Sequence, residues 1–327
     1  MPRIGTAPRA LLTTLLLLPL AACGTSGSEE RDKAGAAPGF PYTVTNCGVR
    51  TTFDRPPRRA VTLNQHATEV LLALGLQDRM AGTAYLDDHI EPRYTKAYGE
   101  VKVLAKEYPS KEELLGADPD FVYGGYASAF DKGEGRDRAG LRKTGVDTRL
   151  NIESCTHGGV GIDELKTEIT QVARTFGVPE RGKKLIAEED RKLGAVQDRL
   201  KGTKPASVFV YDSGDSSAFT AGGAGLGNDL IERAGGRNVF ADVDKSFADV
   251  SWERVIARRP EVVVIYDYGG TSVAAKKKRL LDDPALADVP AVKNKKFAVL
   301  PLSSAVLGVR AADAVDELAG QLHPGTK

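Results

Sequence analysis

The sequence is poor in the residues from which metal centres are built. Its 327 residues include three cysteines and only four histidines, which are His66, His89, His157 and His323. Zinc and manganese sites need several histidines and carboxylates that converge on one point. His66 could meet Asp87, Asp88 and His89 at two adjacent strand ends, while the simpler interpretation of that stretch is a solvated loop. No metal site is predicted, and a protein that binds a metal ion directly stays open as an alternative.

An excess of charge of either sign is also missing. The chain has 45 basic and 44 acidic residues, with a formal net charge of +1 and an isoelectric point near 7.7. Nucleic-acid binding requires a clustered basic excess. The composition therefore predicts no nucleic-acid partner.

Motifs of common enzyme classes are missing as well. There is no G-x-S-x-G elbow and no P-loop. Gly223-Ala-Gly225-Leu-Gly227 looks like a dinucleotide loop, but Asn228 stands where that motif requires its third glycine. The sequence predicts a protein that is not an enzyme and needs no cofactor, with a secreted enzyme as the alternative from a different class.

The apolar run near the N-terminus is too short to span a bilayer. Residues 11–20 are mostly apolar and follow Arg3 and Arg9, and a basic start before a short apolar core is typical of a secretory signal. The sequence Leu20-Ala-Ala-Cys23-Gly resembles the lipobox of bacterial lipoproteins. That resemblance implies a signal peptide at 1–22, acylation of Cys23 and a cell-membrane anchor on the extracytoplasmic face. A plain signal peptide is the alternative.

Two cysteines stay in the exported chain. Disulfides persist outside the cytoplasm, so we expect Cys47 and Cys155 to be bonded, with two buried free thiols as the alternative. Residues 23–41 are small and charged, which is typical of a flexible tether.

A long helical stretch divides the rest of the chain. Apolar residues recur every three or four positions through 161–202, with a break at Gly177 and a new start at Pro179. Similar segments flank this stretch: SKEELLGADPDFVYGG begins at Ser110, and SWERVIARRPEVVVIYDYGG begins at Ser251. Chance likeness of two βα units is the alternative to a duplicated lobe.

The segments on both sides alternate between strand and helix patterns, which predicts α/β lobes with parallel, doubly wound sheets. RRAVTL, MAGTAY, DFVYGG and DTRLNI are the predicted strands of the first lobe. ASVFVYD, NVFADV, EVVVIYD and FAVLPL are those of the second. We expect an N-terminal lobe at 42–160, a helical spine at 161–202 and a C-terminal lobe at 203–327.

These segments, in this order, resemble the substrate-binding proteins of ABC importers for ferric siderophores, haem and vitamin B12. The resemblance covers nearly all of residues 42–322. It implies two Rossmann-like lobes joined by one rigid helix, with the ligand in a cleft between them. It also implies a permease and its ATPase as partners, contacted by one acid on each lobe. The matching acids here are Glu112 and Glu253, although either would also suit the first turn of any helix.

Polar and aromatic residues that follow strand ends are the candidates for the cleft. Aromatic walls suit bulky chelates, and Arg310 could pair with an anionic group. The candidates are Gln65, His66, Tyr85, Asp87, Tyr126, Phe130, Asp212, Phe219, Tyr268 and Arg310. The expected protein is a monomeric, membrane-anchored receptor for a metal chelate, with a ferric siderophore first and cobalamin, haem or another bulky cofactor as alternatives.

Overall fold

The computed structural model describes residues 37–155 and 158–326. The predicted signal peptide, Cys23 and most of the predicted tether lie outside these residues, as does His157. Thirteen strands are described: β1 Tyr42–Asn46, β2 Val49–Phe53, β3 Ala60–Leu63, β4 Met80–Ala84, β5 Val103–Ala105, β6 Phe121–Gly124, β7 Asp147–Leu150, β8 Ala206–Tyr211, β9 Ala218–Ala221, β10 Gly236–Asn238, β11 Phe247–Val250, β12 Val262–Asp267 and β13 Phe297–Pro301.

The described α-helices connect and cover these strands. They are α1 Gln65–Ala73, α2 Thr95–Tyr98, α3 Lys111–Gly116, α4 Arg138–Lys143, α5 Ile162–Thr175, α6 Pro179–Arg199, α7 Leu226–Arg233, α8 Trp252–Arg258, α9 Val273–Asp282, α10 Pro290–Lys293 and α11 Ala311–Leu322. No helix of the described residues combines the length and the apolar character needed to cross a bilayer.

The first lobe is built on a five-stranded parallel sheet in the order β5-β4-β3-β6-β7. Its central strands, AVTL and FVYG, are buried along their whole length. Strands that are covered on both faces read as continuous apolar runs rather than as alternating patterns. The predicted parallel, doubly wound architecture is confirmed here.

The second lobe repeats this arrangement with one strand fewer. Its parallel sheet has the order β10-β8-β12-β13. β8, α7 and β10 correspond to β3, α1 and β4 of the first lobe, and α8 with β12 corresponds to α3 with β6. The two similar segments of the sequence therefore occupy equivalent places in two lobes.

The helical stretch between the lobes folds back on itself. α5 ends before Gly177, whose φ of +69° favours glycine, and α6 starts at Pro179. The two helices pack antiparallel, since Lys166 Nζ lies 2.6 Å from Asp190 Oδ1 and Gly182 lies against Ala173. α5 covers the first sheet, so the connecting rod is α6 alone.

α6 runs from the outer end of one lobe to the outer end of the other, about 31 Å for its 21 residues. Near its start, Arg181 donates to the carbonyls of Leu74 and Gly75, just before the amino end of β4. Leu200, after its last turn, lies beside Gly235, which precedes β10. The amino edges of the two sheets are therefore remote from each other, and their carboxyl edges face one another.

Some local structure differs from the sequence prediction. The strand predicted over NVFADV is instead β10, which ends at Asn238, because the Asn238 side chain accepts from Phe240 N–H and donates to the Ala221 carbonyl. β5 and the antiparallel pair of β9 and β11 are additional. Cys47 and Cys155 form a disulfide that joins the β1–β2 hairpin to the segment after β7.

Candidate ligand cleft

Each sheet reverses its strand order at one point, and the two points face each other. In the first sheet the reversal lies between β3 and β6, and in the second between β8 and β12. Open α/β sheets bind ligands beyond the carboxyl ends of their strands at such points. The residues that follow these four strands therefore form the floor of the candidate cleft.

Asn64 ties the two strand ends of the first lobe together. Its side-chain oxygen accepts from the N–H groups of Gly125 and Tyr126, both at 3.2 Å, and its amide donates to Tyr108 at 2.9 Å. The residue is fully buried and has a φ of +82°. This contact fixes the direction in which the chain leaves β6, and therefore the position of Tyr126.

His66 lies directly behind Tyr126. The ring centroids are 4.8 Å apart, and the imidazole is 2% exposed with both ring nitrogens lacking a hydrogen-bond partner among the described residues. Burial lowers the pKa of His66 to about 4, so the ring is neutral at pH 7. The predicted contact residue therefore supports Tyr126 from beneath in this structure.

Gln65 is fully buried and fastens the loop that follows β4. Its amide donates to Asp88 at 2.7 Å and to the His89 carbonyl at 2.9 Å. Asp88 also accepts from Ser303 at 2.5 Å. Asp88 is thus occupied by Gln65 and Ser303, and no cluster of three or more His, Cys, Asp or Glu suited to a metal ion forms within the described ranges.

An aromatic wall lines the first lobe. Tyr85 stacks on Tyr108 at a centroid distance of 4.6 Å, and Tyr126 and Phe130 are partly exposed beside them. Tyr108 was not among the predicted residues. It follows β5, a strand of three residues whose pattern is too short to detect.

A second aromatic wall lines the second lobe. Phe219 stacks on Phe247 at 5.5 Å, and the Tyr268 hydroxyl donates to Asp212 at 2.5 Å. Lys276 lies beneath, with Nζ 4.6 Å from the Tyr268 ring centroid and donating to the Tyr266 carbonyl. Phe247 and Lys276 were missed because the first lies within β11 and the second within α9, whereas the candidates were taken from residues directly after predicted strands.

The charged groups beside the reversal points are mainly acids. Burial, followed by the nearby Asp88, raises the pKa of Asp87 to about 6, and burial raises the pKa of Glu153 to about 7. Burial also raises the pKa of Asp212. Around pH 7 the carboxyl groups of Asp87 and Glu153 therefore carry partial negative charge and can both accept and donate hydrogen bonds.

Arg310 does not point freely into this space. Its guanidinium forms a two-pronged ion pair with Glu69, with Nε 2.7 Å from Oε2 and Nη2 2.5 Å from Oε1, and it is 7% exposed. The predicted pairing with an anionic ligand would have to compete with this buried contact. In this structure Arg310 joins the lobes instead.

Residues 302–310, which we call the crossing segment, carry other contacts between the lobes. Leu307 N–H donates to Glu153 at 2.7 Å, and the Leu307 carbonyl accepts from Asn151 at 3.0 Å. Gly308 lies against His66, where an added Cβ would be 2.9 Å from the His66 Cβ. The crossing segment therefore closes one side of the cleft.

The two acids predicted to dock the permease occupy equivalent positions. Glu112 and Glu253 are exposed in the first turns of α3 and α8, helices that begin at the facing carboxyl edges of their sheets. The neighbouring Glu113 is occupied in a capping box with Ser110. The Glu112 carboxylate forms no hydrogen bond or ion pair with the rest of the described chain.

Two α/β lobes on one connecting helix, with a cleft at facing strand ends, define a protein that binds a solute between its lobes. The family model of periplasmic binding proteins matches residues 61–303, and the chain belongs to this family. It is a substrate-binding protein of an ABC transporter, of the class that serves siderophores, vitamin B12 and haem. Proteins of this family bind and deliver solutes and are not enzymes.

Several relatives and solved structures are similar to the chain. A vitamin B12-binding protein of Vibrio parahaemolyticus is 27% identical over 65% of this chain and 72% of its own length. An uncharacterized ABC transporter substrate-binding lipoprotein of Bacillus subtilis is 24% identical over 99% and 98%. The structure of a periplasmic binding protein from Veillonella parvula has a TM-score of 0.81 and 32% identity, covering 88% of this chain and 98% of that one.

Proposed function

We propose that this protein is a lipid-anchored receptor on the extracytoplasmic face of the cell membrane, and that it delivers a bulky corrinoid such as cobalamin to an ABC permease. The observation that carries this proposal is the pair of facing aromatic walls edged by carboxyl groups. Tyr85 with Tyr108 and Phe219 with Phe247 present flat apolar faces from opposite lobes. Flat, bulky ligands bury most surface between such faces.

The charge of the cleft favours a ligand without net negative charge. Asp212 follows β8 at a reversal point, and Asp87 and Glu153 follow the neighbouring strands β4 and β7. Of the cations, Arg310 is occupied by Glu69 and Lys276 donates to the Tyr266 carbonyl. An anionic catecholate chelate or the propionates of haem would meet like charge here. Corrinoid side chains carry amides, whose N–H groups suit carboxylate acceptors.

The relatives support the same choice. Proteins named as binding vitamin B12 or cobalamin, from Vibrio parahaemolyticus and Halobacterium salinarum, are 27% and 26% identical to this chain. A ferric hydroxamate is the second candidate. It is supported by a 25% identical structure from the hydroxamate transport system of Saccharomonospora viridis, with a TM-score of 0.73, and such chelates are neutral or cationic.

Titration of the purified protein against a panel of chelates tests the ligand. We expect saturable one-to-one binding of cyanocobalamin, followed by calorimetry, and no binding of haemin or of a ferric tricatecholate. Tight binding of a trianionic chelate would refute the charge argument. Binding of a ferric hydroxamate but not of cobalamin would select the second candidate.

The anchor is proposed from the lipobox, and the lipoprotein of Bacillus subtilis supports it. In a Cys23→Ala variant we expect the protein to leave the membrane fraction in a high-salt wash while chelate binding persists. A variant that stayed wholly with the membrane fraction would contradict acylation of Cys23.

A further inference from the structure

The amino-terminal edge of the second sheet carries a row of positive charges, which we call the basic edge: Lys204, Arg237, Arg259, Lys295 and Lys296. Lys204 lies just before β8, and Arg237 lies within β10. Arg259 comes shortly before β12, and the two remaining lysines come directly before β13. Parallel strands place their amino ends along one edge, so all five side chains belong to one surface.

All five side chains are exposed, and no carboxylate of the described residues lies within 4.0 Å of their charged groups. The nearby Arg258 is held by Asp242. Glu261 is the acid of this surface, and its carboxylate accepts from Ser207 N–H at 2.8 Å. The edge therefore presents positive charge that the protein itself does not neutralise.

The first lobe handles its equivalent edge differently. Arg59 lies 3.4 Å from Asp118, and Arg79 lies 3.6 Å from Asp78. The Asp120 carboxylate accepts hydrogen bonds from the backbone N–H groups of Arg58 and Arg59. Two cations of the first edge, Arg59 and Arg79, are thus paired with acids, whereas none of the five cations of the basic edge is paired with a carboxylate of the described residues.

Two members of the basic edge sit in a backbone conformation that favours glycine. Arg259 ends α8 with a φ of +48°, and Lys295 follows α10 with a φ of +50°. Glycine is the usual residue at such helix ends. Arg259 corresponds to Asp118 of the first lobe, which has a φ of +49°. The left-handed turn therefore belongs to the shared fold, and the second lobe places a cation in it.

The shape of the basic edge suits a broad anionic surface. Two shallow grooves of about 430 and 300 Å³ share Lys204, Pro205 and Glu261 and run along it. Neither groove is closed by a ring of donors that would enclose one small anion. An extended array of phosphates is the better complement.

The proposed anchor at Cys23 would hold the protein beside a lipid bilayer, and the headgroups of that bilayer are such an array of phosphates. The chain from Cys23 to Ala37 can extend roughly 50 Å at about 3.5 Å per residue. α6 separates the outer ends of the lobes by only about 31 Å. The basic edge is therefore within reach of the membrane to which the tether is fixed.

We infer that the basic edge docks the tethered receptor onto anionic phospholipid, giving it a resting orientation between encounters with the permease. This inference rests on the proposed lipid anchor for its choice of partner. Glu112 and Glu253 lie on the opposite, carboxyl edges, so they stay available while the basic edge is occupied.

Vesicle sedimentation tests the inference without the acyl chains. Residues 24–327 suffice, because both sheets and their covering helices lie within the described part of this range. We expect binding to vesicles rich in phosphatidylglycerol, none to phosphatidylcholine alone, and loss of binding at high salt. The variant Arg259→Gly with Lys295→Gly should bind at least tenfold more weakly, since each cation near an anionic bilayer contributes roughly fivefold.

Glycine relieves the left-handed backbone at both positions, so this variant should unfold no more easily than the parent. A matched control, Lys183→Ala with Lys184→Ala on the exposed face of α6, should bind as the parent does. Equal binding to both vesicle types, or equal losses in variant and control, would overturn the inference. Binding to soluble polyphosphate without vesicle binding would also overturn it. Chelate titration of the same samples reports separately on the proposed function.

Discussion

Gly125 lies where the backbone after β6 passes closest to His66. An added Cβ would be 2.3 Å from His66 Nε2 and 2.8 Å from the Asn64 Cβ. Gly125→Ala should therefore lower the free energy of unfolding by about 1–3 kcal/mol, the usual cost of overpacking. Urea unfolding measures this loss.

Gly116 offers the matched control. It lies in α3, and an added Cβ would meet nothing within 4 Å. Gly116→Ala should leave stability unchanged or raise it by up to about 1 kcal/mol. Equal losses at the two glycines would contradict the packing of His66 described above.

Glu189 is a buried acid at the middle of α6. It is 3% exposed, and burial raises its pKa to about 7 despite the opposing effect of Lys192. The folded state therefore holds a proton that the unfolded state releases above pH 4.5, so this group costs stability as the pH rises from about 4.5 to 7.

Glu189→Gln should therefore stabilise the protein at pH 8 by at most about 3 kcal/mol, the equivalent of the pKa shift. Near pH 4.5 the variant and the parent should be alike. Unfolding at both pH values measures the difference. A stabilisation of the same size at both values would show that the effect is not one of ionisation.

At the scale of single elements, the disulfide is a covalent link between two parts of the first lobe. It joins residues 108 positions apart and holds the β1–β2 hairpin against the end of β7. The double variant Cys47→Ser with Cys155→Ser should lose about 2–5 kcal/mol of unfolding free energy, in keeping with a closed loop of this length. Chemical denaturation of the oxidised parent and the variant measures it, and an unchanged midpoint would refute a structural role.

Local patterns predicted most of the elements. Gly177 and Pro179 marked the break between α5 and α6, and the apolar run VVVIYD marked β12. β5 has three residues and carries no usable period. The pairing of β9 with β11 joins segments about 26 residues apart and depends on the surrounding fold, so the sequence pattern alone did not reveal it.

The cleft was less predictable than the elements around it. Strand ends located Tyr85 and Tyr268 from the alternation of strands and helices, but the partner of Arg310 is Glu69, 241 residues away. From the sequence alone, any acid could have been the partner of Arg310, because an ion pair between distant residues leaves no local sequence pattern. The same holds for the packing of His66 beneath Gly125.

At the scale of the whole molecule, α6 and the crossing segment both restrain the lobes. One is a helix of 21 residues that touches both lobes, and the other is held by buried bonds to Asn151 and Glu69. Ligand binding should therefore change the radius of gyration by less than about 1 Å, since rigid connections resist hinge closure. Small-angle scattering of free and loaded protein measures this, and a large compaction would contradict it.

Docking also belongs to this scale, because it requires both lobes at once. Glu112→Lys with Glu253→Lys should abolish uptake in cells while the affinity for the chelate stays within about twofold, since rim charges act on the partner and not on the cleft. The control reverses Glu180 and Glu188, two exposed acids of α6. Normal transport by the first variant would show that these acids do not contact the permease.

The crossing segment has a consequence for how the chain matures after export. Three acids of the first lobe bind partners from the crossing segment: Glu69 pairs with Arg310, Asp88 accepts from Ser303, and Glu153 accepts from Leu307 N–H. The N-terminus of the chain is translocated first, so these acids leave the membrane before their partners do. Until the final 25 or so residues arrive, these acids of the first lobe lack their partners. The first lobe can therefore finish folding only at the end of secretion. A chain truncated near residue 300 would leave both lobes incompletely folded.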